Sequence, residues 1–218
     1  MAVCAWPQQM ALAVKALGSD SGLAVIGIAT PAPHDRPLAR RLVRCALRQL
    51  LGQFLGRPAA SVALISQPGQ GIALDFPGTQ LRLSVSHMPG LSVAAVSCCS
   101  AVGVDVMAVG GLASDLPDWS QVALDYLGPV QAALLRRTAP AGRPAAFARA
   151  WTHFEAGLKC CRLELTEWTP VTANLLAGCQ VMALRLSDGC CGAVAIARPV
   201  AGQTVNSLGN QPQRDRAV

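Results

Sequence analysis

Residues 145–162 carry the clearest periodicity in the chain. Phe147, Trp151, Phe154, Leu158 and Cys161 recur at steps of four and three, one apolar stripe along an α-helix. Upstream, residues 23–29 read as a buried strand closed by Thr30-Pro31-Ala32-Pro33. Residues 38–55 then read as an amphipathic helix ended by Gly56 and Pro58. On it Arg40, Arg44 and Arg48 recur every four residues as one basic stripe. A Gly- and Pro-rich loop over 67–78 leads to a strand over 81–85. Two more strands, 91–97 and 102–107, are joined by a short turn at 98–101.

Helical segments follow at 121–126 and 130–137, and Pro140, Gly142 and Pro144 mark a loop before the striped helix. Strands over 180–187 and 190–197 flank Asp188-Gly189, a hairpin signal. The Gln-, Asn- and Gly-rich stretch from Pro199 is expected to be disordered. These elements make an α+β chain. Val25-Ile26-Gly27-Ile28 resembles Ala101-Val102-Gly103-Val104, and a long amphipathic helix comes later after each. Two similar halves account for this echo, and so does chance similarity between two short apolar strands.

Composition narrows the class. At 218 residues, 52% hydrophobic but only 4% aromatic, the chain buries enough surface to fold without disulfides or metal. Its core is expected to be built from Ala, Val and Leu. A disordered protein is excluded by that apolar content and by 14% charged residues. Nine cysteines, six of them in the adjacent pairs Cys98-Cys99, Cys160-Cys161 and Cys190-Cys191, lack the spacing of a zinc knuckle. They read as reduced, mostly buried small hydrophobes in a reducing cytosol. Pro7 interrupts the first apolar stretch and no basic segment precedes it, against a signal peptide. The uncharged run at 88–104 is too short and polar for a membrane span. A cytoplasmic location follows as the expectation.

Of 18 basic residues only Lys15 and Lys159 are lysine, and Glu155, Glu164 and Glu167 are the only glutamates. Arginine's forked donors suit phosphate, so the net charge of +6 fits an anionic partner, while Arg-rich codon usage explains the same bias. Asp105 sits in the apolar strand Val102-Gly103-Val104-Asp105-Val106-Met107. It either faces water at the strand end or is paired or metal-bound, because a lone buried carboxylate is unfavourable. On a strand Asp105 and Met107 share one face, and Val104 and Val106 the other. Glu155 flanks the apolar stripe with Lys159 one turn further on the same side, either an ordinary surface pair or the edge of a cleft. Ser86 and His87 stand at the end of the strand before Pro89-Gly90, where His87 is either an ordinary structural residue or placed with Ser86 so that both could reach a phosphate oxygen.

In series, Ser86-His87, Gly103-Val104-Asp105-Val106 and Trp151-Thr152-x-x-Glu155-Ala156-x-x-Lys159 resemble the motifs of the 4′-phosphopantetheinyl transferases of the surfactin-synthetase-activating type. The upstream Arg40-Arg41-x-x-Arg44 looks like that family's first-half helix, and the resemblance spans roughly residues 22–197. It implies two similar α/β halves related by a pseudo-twofold, each with a small, mostly antiparallel sheet and a long packed helix. The halves would be residues 1–101 and 102–199, with 200–218 as a tail. It implies transfer of phosphopantetheine from coenzyme A to a serine of an acidic acyl or peptidyl carrier protein. It further implies Mg2+ as cofactor and a monomer, while composition leaves neither nucleic acid nor membrane as an expected partner.

By the same resemblance Asp105 and Glu155 bind the metal, and Glu155, Lys159 and Asp105 are catalytic. Arg40, Arg41, Arg44, Ser86, His87 and Lys159 hold the coenzyme's phosphates. The pattern departs from the family at Met107, where relatives carry a second acid, and at Phe154, often Lys. It also departs at Gln70 within Gly69-Gln70-Gly71, at Gln131 and at Cys160-Cys161-Arg162. These departures leave room for a relative that binds coenzyme A or a carrier without turnover. A nucleic-acid-binding module is disfavoured, since four Phe, four Trp and one Tyr offer few stacking platforms.

Overall fold

A computed structural model describes residues 1–32, 35–66, 71–76, 78–110 and 118–198. The chain begins with β1 (Cys4–Trp6) and α1 (Met10–Leu17), then β2 (Leu23–Ala29) and α2 (Arg36–Leu55). A two-stranded ribbon follows, β3 (Leu64–Ser66) and β4 (Ile72–Leu74), then β5 (Arg82–Met88), β6 (Leu91–Ser97) and β7 (Val102–Ala108). Next come α3 (Trp119–Val122), a π-turn (Ala123–Leu127), α4 (Gly128–Arg137) and α5 (Arg143–Cys160). The order closes with α6 (Pro170–Ala177), β8 (Cys179–Ala183) and β9 (Cys190–Ala197). The fold is α+β. No helix among the described residues is long and apolar enough to cross a membrane.

Two sheets carry the architecture. One runs β1-β2-β6-β5 and is antiparallel except for the parallel β1–β2 pair; the other runs β7-β9-β8 and is antiparallel. Alternation along each strand divides the core into layers. Ala24, Ile26 and Ile28 of β2 pack with Ala13 and Leu17 of α1 and Val43, Leu47 and Leu50 of α2. Leu23 and Val25 on the other face join Val102, Val104 and Val106 of β7 in a second cluster between the sheets. The expected Ala, Val and Leu core is what is buried.

The edge strands of the two sheets, β5 and β7, meet through side chains. Ser84 Oγ accepts from the Val104 backbone N–H at 3.0 Å, and Ser86 Oγ accepts from the Val106 N–H at 3.3 Å. Two buried hydroxyls thus satisfy backbone donors that a neighbouring strand would otherwise take.

Helix α5 approaches its sheet on a face that hydrophobic periodicity does not single out. Thr152, Ala156 and Cys160 recur every four residues and are fully or nearly fully buried. Ala156 and Cys160 pack against Ala193 and Ala195 of β9. Gly103 makes the approach possible, because a Cβ there would run into the Ala156 carbonyl oxygen and the Cys160 backbone nitrogen. The aromatic stripe lies beside this face: Trp151 stacks on Phe147 with ring centres 5.7 Å apart and meets Tyr126 edge-on at 5.6 Å.

Several boundaries differ from the sequence-based expectation. Helix α2 starts at Arg36 rather than Leu38, because the Asp35 carboxylate accepts from the Leu38 N–H and Pro37 fits the first turn. Helix α5 likewise takes Arg143 and Pro144 into its first turn instead of starting at Ala145. It ends at Cys160, with Arg162 left-handed at φ 56°. Strand β5 runs through Ser86 and His87 to Met88, paired with β6 up to the tight Pro89-Gly90 turn, where Gly90 has φ 82°. Strand β8 ends at Ala183 instead of Ser187, because the Met1 ammonium donates to the Ala183 carbonyl and Arg185 N–H donates to the Met1 carbonyl.

Other differences concern whole elements, the strand echo and the cysteines. β1 and α1 are short elements with no motif to flag them, while α6 starts on a Thr169 cap and Pro170, a helix-start pattern that the expectation above does not include. The echo between residues 25–28 and 101–104 is out of phase. Gly27 faces Val3 and Leu91 of the layer between the sheets, whereas Gly103 faces α5. It therefore carries no argument for a repeat. All nine cysteines are free, but only Cys160 and Cys179 are buried, and Cys45 and Cys99 are exposed. The expectation of a mostly buried set fails. Part of the predicted 67–78 loop is β4; residues 67–70 and 77, including Gly69 and Gln70, and the tail from Pro199 lie outside the described residues.

Candidate active site

A cavity of about 410 Å³ opens where β5, β7, α5 and the start of α2 converge. β7 contributes Asp105 and Met107, β5 contributes Ser86 and His87, and α5 contributes Trp151, Glu155 and Lys159. Arg36 and Arg40 line it from α2. Asp105 is reached from α5 because Gly103, two residues earlier on the same face, lets helix and strand backbones touch.

Lys159 lies between the two acids. Its Nζ donates to Asp105 Oδ1 at 2.6 Å and lies 3.4 Å from Glu155 Oε2. Asp105 is the buried member, 7% exposed at the side chain against 27% for Glu155 and 32% for Lys159. Burial pushes its carboxyl above the usual range. The Lys159 charge pulls it back, the neighbouring Glu155 charge adds to the rise, and hydrogen bonds from Lys159 and Ser86 oppose it. Glu155 is aimed by Trp151, whose indole N–H donates to Oε1 at 2.8 Å one helical turn away. Trp151 is in turn clamped between Phe147, Tyr126 and Phe154.

Not every residue singled out in the sequence reaches the cavity. Arg40 does, but Arg41 is exposed and does not line it. Arg44 donates to the Leu64 carbonyl at 2.9 Å and to Ser66 Oγ, and Arg48 Nε donates to the Val62 carbonyl. The predicted basic stripe is therefore divided: its C-terminal part ties α2 to the segment around β3. Arg36 lines the cavity instead, one turn before Arg40. The signal for it was Asp35-Arg36-Pro37, a helix-start pattern that extends the arginine spacing backwards.

Ser86 is in the cavity wall, but its hydroxyl donates to Asp105 Oδ1 at 2.7 Å. His87 Nδ1 shares a 2.8 Å hydrogen bond with Ser92 Oγ. Of the departures from the motif, Met107 lines the cavity, while Phe154 and Gln131 do not.

The donor set suits a hard divalent cation. Two carboxylates face one cavity, with one ammonium between them, so the group keeps a net negative charge that a dication and phosphate oxygens would balance. Mg2+ takes one or two carboxylates plus phosphates and waters, which needs no further acid. Among the described residues no cluster of three or more His, Cys, Asp or Glu forms a metal site from protein groups alone. The arrangement can therefore hold an anionic ligand between arginines and a cation-binding acid pair, with a lysine at hand to neutralise charge that develops on a leaving oxygen. No protein-family model matches the chain, and no curated protein sequence matches it either.

Proposed function

We propose that the chain transfers 4′-phosphopantetheine from coenzyme A to a serine of an apo acyl or peptidyl carrier protein, releasing 3′,5′-bisphosphoadenosine. The observation that carries this reading is the convergence of Asp105, Glu155 and Lys159 on one cavity that Arg36 and Arg40 also line. The motif resemblance names the same three residues. In this reading residues 1–101 and 102–199 are two related halves, the protein acts as a cytoplasmic monomer, and the carrier is drawn by complementary charge.

The serine oxygen attacks the β-phosphorus of coenzyme A, and the bond from that phosphorus to the bridging oxygen breaks. Glu155, directly or through a water, takes the serine proton. Lys159 neutralises or protonates the departing phosphate of 3′,5′-bisphosphoadenosine. Arg36 and Arg40 grip phosphate oxygens with forked charged hydrogen bonds. Asp105 and Glu155 would hold Mg2+, which when bound neutralises the pyrophosphate. Catalysis is then mainly positioning and charge neutralisation.

Met107 supports a second reading, a relative that binds coenzyme A or a carrier without turnover, because a thioether replaces an acid in the cavity wall. Incubation of the purified chain with coenzyme A, Mg2+ and a panel of apo-carrier proteins distinguishes the two. Transfer predicts a carrier heavier by one phosphopantetheine, with Glu155→Gln abolishing the gain. A folded wild-type chain that modifies no carrier refutes the transferase.

A further inference from the structure

We propose that Ser86 is a positioning residue for the Asp105 carboxylate and not a ligand of the coenzyme's phosphate. The inference rests on the transferase reading and assigns Ser86 a role within it. A serine hydroxyl has one hydrogen to donate. In this structure that hydrogen goes to Asp105 Oδ1 at 2.7 Å, while the same oxygen accepts the Val106 N–H at 3.3 Å. A phosphate oxygen is an acceptor, so Ser86 would have to release Asp105 to serve it. Ser86 is also buried, at 7% exposure, which holds its hydroxyl in one arrangement.

The consequence falls on the carboxylate. Ser86 and Lys159 both donate to Oδ1. Oδ2 takes no hydrogen bond from the described residues, and it is the oxygen left for the cation. Val106 is the next residue of the strand that carries Asp105. By accepting its N–H and donating to the Asp105 side chain, one hydroxyl fixes both the strand position and the carboxylate rotation. Groups that orient a metal ligand in this way typically change metal affinity 10–100-fold when removed.

Ser84 supplies an internal control. It is equally buried, and its Oγ accepts the Val104 N–H at 3.0 Å, the same backbone service without a hydrogen bond to the Asp105 carboxylate. The test is calorimetric titration of the purified full chain with Mg2+ in the presence of coenzyme A, and with coenzyme A in a chelator, for wild type, Ser86→Ala, Ser84→Ala and Ser86→Thr. Ser86→Ala is expected to weaken Mg2+ roughly 10–100-fold and to leave coenzyme A binding in chelator unchanged. Ser84→Ala should leave both constants unchanged, with a melting temperature lowered no more than that of Ser86→Ala, which also loses the bond to the carboxylate. Ser86→Thr, which keeps the hydroxyl, should restore Mg2+ affinity.

Weaker coenzyme A binding with unaltered Mg2+ affinity would make Ser86 a phosphate ligand and overturn the proposal. Equal loss of Mg2+ affinity in Ser84→Ala would reduce both serines to strand ties and overturn it too. If Ser86→Ala does not fold, Ser86→Cys takes its place: its weak S–H donor predicts intermediate Mg2+ affinity, and wild-type affinity refutes the assignment. A wild-type chain that binds coenzyme A but no Mg2+ removes the transferase reading itself, an outcome separate from the behaviour of the serine variants.

Discussion

Replacing Gly103 by Ala tests how the site is assembled. The added Cβ meets the Ala156 carbonyl oxygen and the Cys160 nitrogen inside van der Waals contact, and lies 3.0 Å from the Lys159 carbonyl carbon. All three atoms belong to the α5 backbone, so no side chain can rotate away. Either β7 or α5 must move by about an ångström, and overpacking of this kind typically costs 1–3 kcal/mol. The clash is with backbone, which places the cost near the upper end. At about 2–4 °C per kcal/mol for a chain of this size, a loss of about 3 kcal/mol lowers the melting temperature by roughly 6–12 °C.

The same displacement reaches the site. Lys159 holds Asp105 across this helix–strand contact at 2.6 Å, and a 1 Å separation takes that pair beyond hydrogen-bond reach. Transfer to an apo-carrier is then expected to fall about 100-fold, the usual scale for a 1 Å misplacement. Urea unfolding, thermal melting and the carrier-modification assay read the two effects. Gly110→Ala is the control, since a Cβ there meets nothing within 4 Å, and it should lose no stability. A Gly103→Ala chain within 0.5 kcal/mol of wild type would show that α5 and β7 do not depend on this contact and would refute the reasoning.

Three further outcomes follow from the structure. Arg44→Ala removes hydrogen bonds to the Leu64 carbonyl and Ser66 and should lower stability by about 1–3 kcal/mol while sparing coenzyme A binding. Arg40→Ala should do the reverse, weakening coenzyme A about 10–100-fold, as loss of a charged hydrogen bond does, with an unchanged urea midpoint. Burial and the neighbouring Cys179 raise the Cys161 thiol from its ordinary 9.0 to about 11. Its alkylation by iodoacetamide, followed by peptide mass spectrometry, should therefore be slow at pH 7.5 and rise about tenfold per pH unit up to that value. Because the folded-state value is raised, the associated stability is present below pH 9 and is lost as pH climbs toward 11. Labelling of Cys161 at pH 7.5 as fast as that of the exposed Cys45 would contradict this.

Much of the fold was legible as local pattern. Strands β2 and β6 and the helices over 36–55 and 143–160 announce themselves through apolar runs, periodicity and Gly or Pro stops. The turns were less so. Pro144 reads as part of a loop, yet it sits inside a first helical turn, as Pro37 does, where the missing N–H has no partner to lose. The short edge strand β1 and helix α1 carry too few residues for a periodic signal, and they form because α1 covers Val43 and Leu47 of α2.

The sequence by itself determined which residues of reactive character stand in which order: a single acid in an apolar strand, a Glu and a Lys one turn apart, and a run of arginines before them. Those depend on side-chain chemistry and on the repeat of one strand or one helix, both local properties. Only the tertiary structure decided who faces whom. It turned Arg44 and Arg48 onto the β3 segment, brought Arg36 into the cavity, committed the Ser86 hydroxyl to Asp105 and set Lys159 between two carboxylates. Periodicity identifies a face but not its partner. The partner here was chosen by small residues, Gly103, Ala156 and Cys160, whose contribution is closeness of approach, a property no hydrophobic pattern records.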